Sequence, residues 1–207
     1  MSDNVIIRGE VWGPPDQPKV NRFWSATDKT RADWETPEAF FRWRDRIHHF
    51  DVDAAANADN AKLPHWFGPG SQMWHPLSAA ENGKLLRIED ALDPAVQWWR
   101  EADRFWCNPP YGRLLIHWIR CFARQAEAGA FIETVLPVAT STDWYRLAFE
   151  TAEAIEFLED RLAFELDGVP ADNSNINSML VRWQPHGTQG SASTRLIQWK
   201  PFMLVVP

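Results

Sequence analysis

The tetrapeptide Asn108-Pro109-Pro110-Tyr111 follows the apolar run Phe105-Trp106-Cys107 and precedes a segment with helical spacing. Two consecutive prolines fix a rigid turn and carry no backbone N–H. The carbonyls of Asn108 and Pro109 therefore need partners other than a sheet ladder. The Asn108 side chain adds a further carbonyl acceptor, and Tyr111 adds a flat ring. Two acceptors beside a stacking surface suit a planar ring that carries an amino group. Such an amine is a poor nucleophile because its lone pair is delocalised into the ring. Gripping both N–H bonds favours a pyramidal nitrogen and concentrates that lone pair. The matching reaction is an in-line displacement at a methyl sulfonium, in which positioning supplies much of the rate. It calls for neither a metal nor a covalent enzyme intermediate. The same four residues also fit a plain tight turn, and their place between a strand and an amphipathic helix weighs towards the site.

The second cluster with chemical potential is Asp53 with Ala54, Ala55, Ala56 and Asn57. It follows Phe50-Asp51-Val52, a short β-compatible stretch, and open α/β sheets bind ligands beyond the carboxyl ends of their strands. An ordinary strand-end pair, Asp51 and Asp53 capping a helix, is the alternative reading.

The elements that must position these residues alternate. Thr36-Pro37-Glu38 reads as an N-cap with proline at the first helical position, opening a helix through Phe40, Phe41, Trp43 and Ile47. Asp93-Pro94 opens a second helix towards Ala102, and Arg104–Cys107 forms a strand. Leu114, Leu115, Trp118, Ile119, Phe122 and Ala123 mark an amphipathic helix. A buried strand over Ala130–Leu136 and a helix over Asp143–Thr151 follow. Ala154–Leu158, Leu162–Glu165 and Ser178–Trp183 are later strands, and the tail from Thr194 to Val206 holds two more β-like pieces. Residues 1–33 form an irregular N-terminal arm, and residues 34–207 a single domain with a loop insertion at about 67–88. The alternation predicts an α/β fold with a mostly parallel sheet, helices on both faces and an antiparallel edge.

The 207 residues carry 21 Lys+Arg against 28 Asp+Glu, a net charge of −7. That balance argues mildly against a phosphate-rich partner. Arg42, Arg44 and Arg46, or Arg113, Arg120 and Arg124, are equally readable as local basic faces or as solvated helix surfaces. Cys107 and Cys121 have no metal or redox spacing and read as small buried hydrophobes. The six histidines have no ligand-like partners, so no metal is expected. No apolar run is long enough to span a membrane, and the first ten residues do not resemble a signal peptide. A cytoplasmic protein is the expectation.

Four blocks, taken together and in order, resemble the phage-type DNA N-6-adenine methyltransferase family. They are Asp33-Trp34-Glu35-Thr36-Pro37 with Phe40 and Phe41, then Phe50–Ala56 with Asn60-Ala61-Lys62, then Phe105–Gly112. Leu136-Pro137, Asp143-Trp144 and Arg161-Leu162-Ala163-Phe164 complete the set. The resemblance spans roughly residues 33–184. It implies a Rossmann-like class I methyltransferase fold, S-adenosylmethionine as methyl donor, and DNA as partner in a bacterial host cytoplasm. By that carry-over Asn108 and Pro109 hold the target amine, Pro110 completes the turn, and Tyr111 stacks on the base. Thr36 and Pro37 lie near the methionine part of the cofactor, Asp53, Ala54 and Ala55 form the cofactor loop, and Asp90 meets the cofactor's adenine. The family's usual glycine-rich cofactor loop is replaced by alanines, which disfavour positive φ. A base inside a duplex cannot reach such a site, so it is flipped out or offered on a single strand. Phe164 and the tryptophans at 98–99 are candidates for a second wall of the base site, with core packing as the competing reading. Short or relaxed sequence specificity follows from the lack of a large recognition domain, with residues 68–88 and 167–177 as the DNA-facing loops. The rival readings are methylation of cytosine N4 or of a protein glutamine, and a non-catalytic DNA-binding protein on a decayed scaffold.

Overall fold

Alternation of apolar side chains along the central strands supplies two buried faces, and helices of matching amphipathicity cover both. The computed structural model describes residues 5–7, 10–12, 34–76, 85–188 and 190–199. Within the expected arm, β1 (Val5–Ile7) and β2 (Glu10–Trp12) pair as an antiparallel hairpin, and the rest of the arm lies outside the described residues. The central sheet has six strands in the order β12 (Ser193–Ile197), β8 (Ala154–Leu158), β11 (Ser178–Trp183), β7 (Phe131–Pro137), β6 (Arg104–Cys107) and β3 (Val52–Asp53). Three neighbouring pairs are parallel, and the two pairs made by β11 are antiparallel. The antiparallel character expected of the closing strands thus resides in one reversed strand set between β8 and β7.

One face of the sheet presents Phe105, Cys107, Ile132, Leu136, Ile155, Met179 and Val181. It is covered by α2 (Leu115–Glu127) and α3 (Asp143–Thr151), which place Trp118, Ile119, Phe122, Leu147 and Ala148 against it. The opposite face presents Trp106, Val135 and Leu180 to Phe40 and Phe41 of α1 (Glu38–His48) and to Phe164 of β9 (Leu162–Leu166). Also on that face, the Arg44 guanidinium forks onto both Glu133 oxygens at 2.7 Å, and lies 3.4 Å from Glu156. His48 Nε2 lies 3.3 Å from Glu133 and Arg182 3.7 Å, so α1 is tied to the sheet by charge as well as by rings. Arg44 is therefore not part of a basic surface, and Arg42 is engaged with Glu38 and Asp45.

Three further expectations are corrected. The segment from Asp93 to Ala102 is not a helix but a chain of turns with one 3-10 turn at Trp98–Arg100. The buried Gln125 side chain takes its backbone groups instead, accepting from the Trp98 N–H at 3.0 Å and donating to the Val96 carbonyl at 2.9 Å. Residues 167–177 are not a loop: β9 turns through Asp167 and Gly168, both at positive φ, into β10 (Val169–Ile176). Asp-Gly is the preferred pair for such a hairpin turn because both central residues take φ > 0. Finally, Thr36 does not cap α1. Pro37 occupies that position, its carbonyl accepts from Phe40 and Phe41 N–H at 3.0 Å, and the Thr36 hydroxyl has no partner among the described residues. Inside the expected insertion, β4 (Trp74–Pro76) and β5 (Leu85–Arg87) pair antiparallel. The second β-like piece of the tail falls outside the described residues.

Candidate active site

β6 ends at Cys107, and the next four residues leave the sheet as the rigid turn. Among the described residues, neither the Asn108 nor the Pro109 carbonyl accepts a hydrogen bond. The Asn108 carboxamide is oriented: its Nδ2 donates to the Trp34 carbonyl at 2.7 Å. A carbonyl can only accept, so this contact fixes which end of the amide is nitrogen and leaves Oδ1 as the free acceptor. Trp34 is in turn held from two sides. Its ring stacks on Phe164 at 5.9 Å, and the adjacent Glu35 exchanges two backbone hydrogen bonds with Glu165 at 2.8 and 2.9 Å. The amide that could grip a substrate amine is thus locked by a strap that β9 secures.

Tyr111 is partly buried. Its hydroxyl donates to the Val135 carbonyl at 3.3 Å and its ring meets Phe164 edge-on at 5.9 Å. Burial pushes its phenol well up, with Cys107 adding to the effect, so it stays protonated. Phe164 and Trp98 are fully buried core residues, whereas Trp99 is exposed with Arg100 stacked over it. Both cysteines are buried and free, as expected of small hydrophobes.

Two clefts open at this strand end. The first is lined by Trp34, Glu35, Thr36, Asp53, Ala55, Asn60, Lys62, Trp106, Asn108 and Pro110. The second is lined chiefly by apolar groups, Ala54, Phe67, Leu92 and Trp118, with Asp90 and Glu89 at its polar side. Ala55 and Pro110 line both, so the clefts meet beside the turn. Of the sequence-derived candidates, Thr36, Asp53, Ala54, Ala55, Asp90, Asn108 and Pro110 come together here. Pro37 caps α1, Pro109 is buried within the turn, and Tyr111 lies against Phe164, outside the lining of either cleft.

The Asp53 carboxylate accepts from the backbone N–H of Ala55 at 3.3 Å and of Lys62 at 3.1 Å. These bonds do not offset its burial, which raises its pKa to about 6. Burial also pushes Asp90 up; its Oδ1 accepts from the Leu92 N–H at 2.9 Å. The loop after β3 does without glycine because another segment supplies it. Residues 65–67 run beside β3 as a one-residue bridge, Asp53 to Trp66, and the Ala56 N–H donates to the Phe67 carbonyl at 3.2 Å. Gly68 then passes so close to Ala56 that a Cβ would sit 2.0 Å from its carbonyl oxygen, and its φ of +142° is one that side-chain-bearing residues avoid. Sequence reasoning missed Gly68, and also Lys62, Asn60, Glu35 and Trp106 as lining residues. Each except Gly68 lies inside a block that carries the family resemblance, which was the available signal.

No group of three or more metal-capable side chains occurs among the described residues, and no described helix is long and apolar enough to cross a membrane. The profile of the DNA N-6-adenine-methyltransferase (Dam) family matches residues 77–196, more than half of the chain. The blocks at 33–41 and 50–62 lie upstream of that match. A protein of Escherichia phage T1 described as a DNA N-6-adenine-methyltransferase is 28% identical over 142 residues, 68% of this chain and 50% of the relative. The chain thus spans about half the length of the curated relative it matches. With the turn, its oriented asparagine and the family profile on the same strand end, the chain belongs to the DNA N-6-adenine-methyltransferase family.

Proposed function

We propose that the protein transfers a methyl group from S-adenosylmethionine to the N6 amine of adenine in DNA, on a Rossmann-like class I methyltransferase domain covering residues 34–207. The observation that carries the reading is the Asn108 amide, oriented by the Trp34 carbonyl with Oδ1 left to accept, in the polar cleft that meets an apolar one at Ala55 and Pro110. When bound, the cofactor supplies an electrophilic methyl on a sulfonium. Its fit is supported by the residues present: the polar cleft holds Thr36 and Asp53 for the methionine end, and the apolar cleft with Asp90 suits an adenine ring and its amine. Asn108 Oδ1 and the Pro109 carbonyl grip the two N–H bonds of the target amine and turn its lone pair towards the junction at Ala55 and Pro110. Positioning of this kind accounts for much of such a rate. The proton surplus on the methylated nitrogen leaves to solvent, since neither acceptor is basic.

Stacking by Tyr111 on the flipped base requires its ring to open a gap beside Phe164, because the two rings are in edge contact here. Adenine on a single strand, or extruded from a duplex, is the substrate form. The hairpin of β4 and β5, with the rest of residues 68–88, and the β9–β10 turn are the segments proposed to face DNA. Short or relaxed specificity is expected, and methylation mapping that finds six or more fixed bases would overturn that part.

The deciding experiment supplies labelled S-adenosylmethionine and defined single- and double-stranded DNA, then digests the product to nucleosides. Label in N6-methyl-2'-deoxyadenosine, lost in Asn108→Ala, is the expected result. Label in N4-methyl-2'-deoxycytidine, or none with folded protein, overturns the proposal.

A further inference from the structure

We infer that Trp74, backed by Arg87, is a stacking platform for an unpaired base of the DNA strand that carries the target adenine, outside the target pocket itself. The inference rests on the proposal that this strand end methylates adenine in DNA, and it assigns a second DNA contact to a residue that belongs to neither the turn nor the clefts. Trp74 on β4 is 50% exposed. A lone exposed tryptophan is ordinary on a protein surface, but this one is held in place. Its cross-strand partner is Arg87 of β5, whose guanidinium carbon lies 6.0 Å from the indole centroid. Arg87 is fixed in turn. Its Nε donates to the Ser71 carbonyl, its Nη2 to the Gly70 carbonyl at 3.4 Å, and its Nη1 lies 3.6 Å from Glu89. Side chains alternate along a strand, and the next residue, His75, is buried with its Nδ1 2.6 Å from the Glu101 carboxylate. The indole is therefore oriented before any ligand arrives, which lowers the ordering cost of binding.

The hairpin springs from the wall of the apolar cleft. Gly68 and Glu89 line that cleft, the Gly68 N–H donates to the Ile88 carbonyl at 3.1 Å, and the Ile88 N–H donates to the Met73 carbonyl at 3.0 Å. Trp74 follows Met73 and Arg87 precedes Ile88, so the platform stands one residue pair from the cleft wall. Trp99, also exposed, lies elsewhere, against Gly129 beyond the end of α2 that is far from the turn. The surroundings of Trp74 select a base over a phosphate. Arg87 already meets two carbonyls and Glu89, and the acidic Glu89 and Asp90 stand beside it on the cleft wall. An indole needs no charge on its partner, and every base has a π-face to lay on it. A β-branched residue would serve the strand as well but offers no such surface. Stacking of this kind also suits a chain of net charge −7.

The test is fluorescence anisotropy of the full chain on a labelled single-stranded oligonucleotide with one adenine, and on a set in which each other base in turn is replaced by an abasic site. Trp74→Ala weakens binding to the intact strand roughly tenfold, as expected for one lost base–aromatic stack, and Trp74→Phe stays within about threefold of the wild type. At one position the abasic site costs the wild type a similar factor, while Trp74→Ala, already lacking the stack, changes there by less than about twofold. The salt slope of Trp74→Ala equals that of the wild type, because no phosphate contact is removed. A residue that only supported the hairpin would weaken every strand alike. Parallel losses by wild type and Trp74→Ala at every position overturn the inference, as does wild-type affinity in Trp74→Ala. If Trp74→Ala does not fold, Trp74→Leu, which keeps an apolar side chain without the aromatic face, decides by the same comparison. If the inference fails while the wild type methylates adenine in these strands, only the platform falls. If the wild type methylates neither these strands nor their duplexes, the methyltransferase reading falls and the platform with it.

Discussion

Asn108 and Asp53 are each held by backbone groups, and the two contacts have opposite consequences. The Trp34 carbonyl gives Asn108 one productive orientation, so Asn108→Ala should lower kcat by about 10²–10³-fold while the melting temperature changes little. Single-turnover methyl transfer beside a thermal melt checks both halves. Asp53 is buried at an energetic cost, which its two backbone bonds only partly offset. Its folded pKa of about 6 lies above the ordinary value of 3.8. The stability linked to Asp53 is therefore whole below about pH 4 and declines as pH rises through 6. Asp53→Asn should raise stability at pH 7.5, by on the order of 2 kcal/mol, and change it little at pH 4. Denaturant titrations at the two pH values measure the difference. A cationic ligand needs the ionised form, so cofactor affinity in the wild type should weaken as pH falls below about 6, and should lose that dependence in Asp53→Asn.

At the scale of elements, two joints carry the site. Gly68 lets the segment after β3's neighbour pass against the Ala56 carbonyl, which shapes the wall shared by Ala54 and Ala55. Gly68→Ala puts a methyl where backbone already stands, at a strained φ, and should cost at least about 2 kcal/mol. A fall of roughly 4–8 °C in melting temperature is the corresponding readout. The other joint is the buried ion network beneath α1. Burial pushes Glu133 up, but hydrogen bonds from Arg44 and His48 outweigh it and hold the carboxyl below its ordinary value. That contribution is present above about pH 4.5 and is lost as pH falls further. Arg44→Met leaves the buried Glu133 without its main cation, while Glu156 keeps Arg195, and should destabilise the fold by about 3–5 kcal/mol. Because α1 begins beside Thr36, the same variant should loosen cofactor binding as well. Chemical denaturation at pH 7 tests the first effect and calorimetry the second.

At the scale of the whole molecule, the net charge is −7, and Arg42, Arg44 and Arg182 are engaged with carboxylates rather than offered to phosphates. DNA binding should therefore show a shallow salt dependence, with log–log slopes of magnitude below about 3, where a broad phosphate clamp gives far steeper ones. Fluorescence anisotropy across a salt series, on single- and double-stranded oligonucleotides, measures this. A steep slope would mean that the remaining arginines and lysines form a basic surface and would overturn the prediction.

Much of this was legible in the order of residues. The turn at Asn108–Tyr111, the strand before it, α2, α3 and the alternation of buried faces are local consequences of proline geometry and hydrophobic period, and they stand where the sequence put them. Two of the departures share one cause: local rules were overruled by partners far along the chain. Gln125, some 30 residues on, unmade the helix after Asp93 by taking its backbone groups. Glu133, 89 residues from Arg44, turned an expected surface arginine into a core one. The Asp167-Gly168 hairpin was readable from its turn pair alone and was overlooked. Thr36 lines the polar cleft but does not cap the helix it precedes, because Pro37 takes that position. Asn108 marks the boundary most clearly. The sequence determined that an amide would follow the strand and face a Pro-Pro turn. Only the tertiary structure decided which way that amide points, because its orienting carbonyl belongs to Trp34, 74 residues earlier.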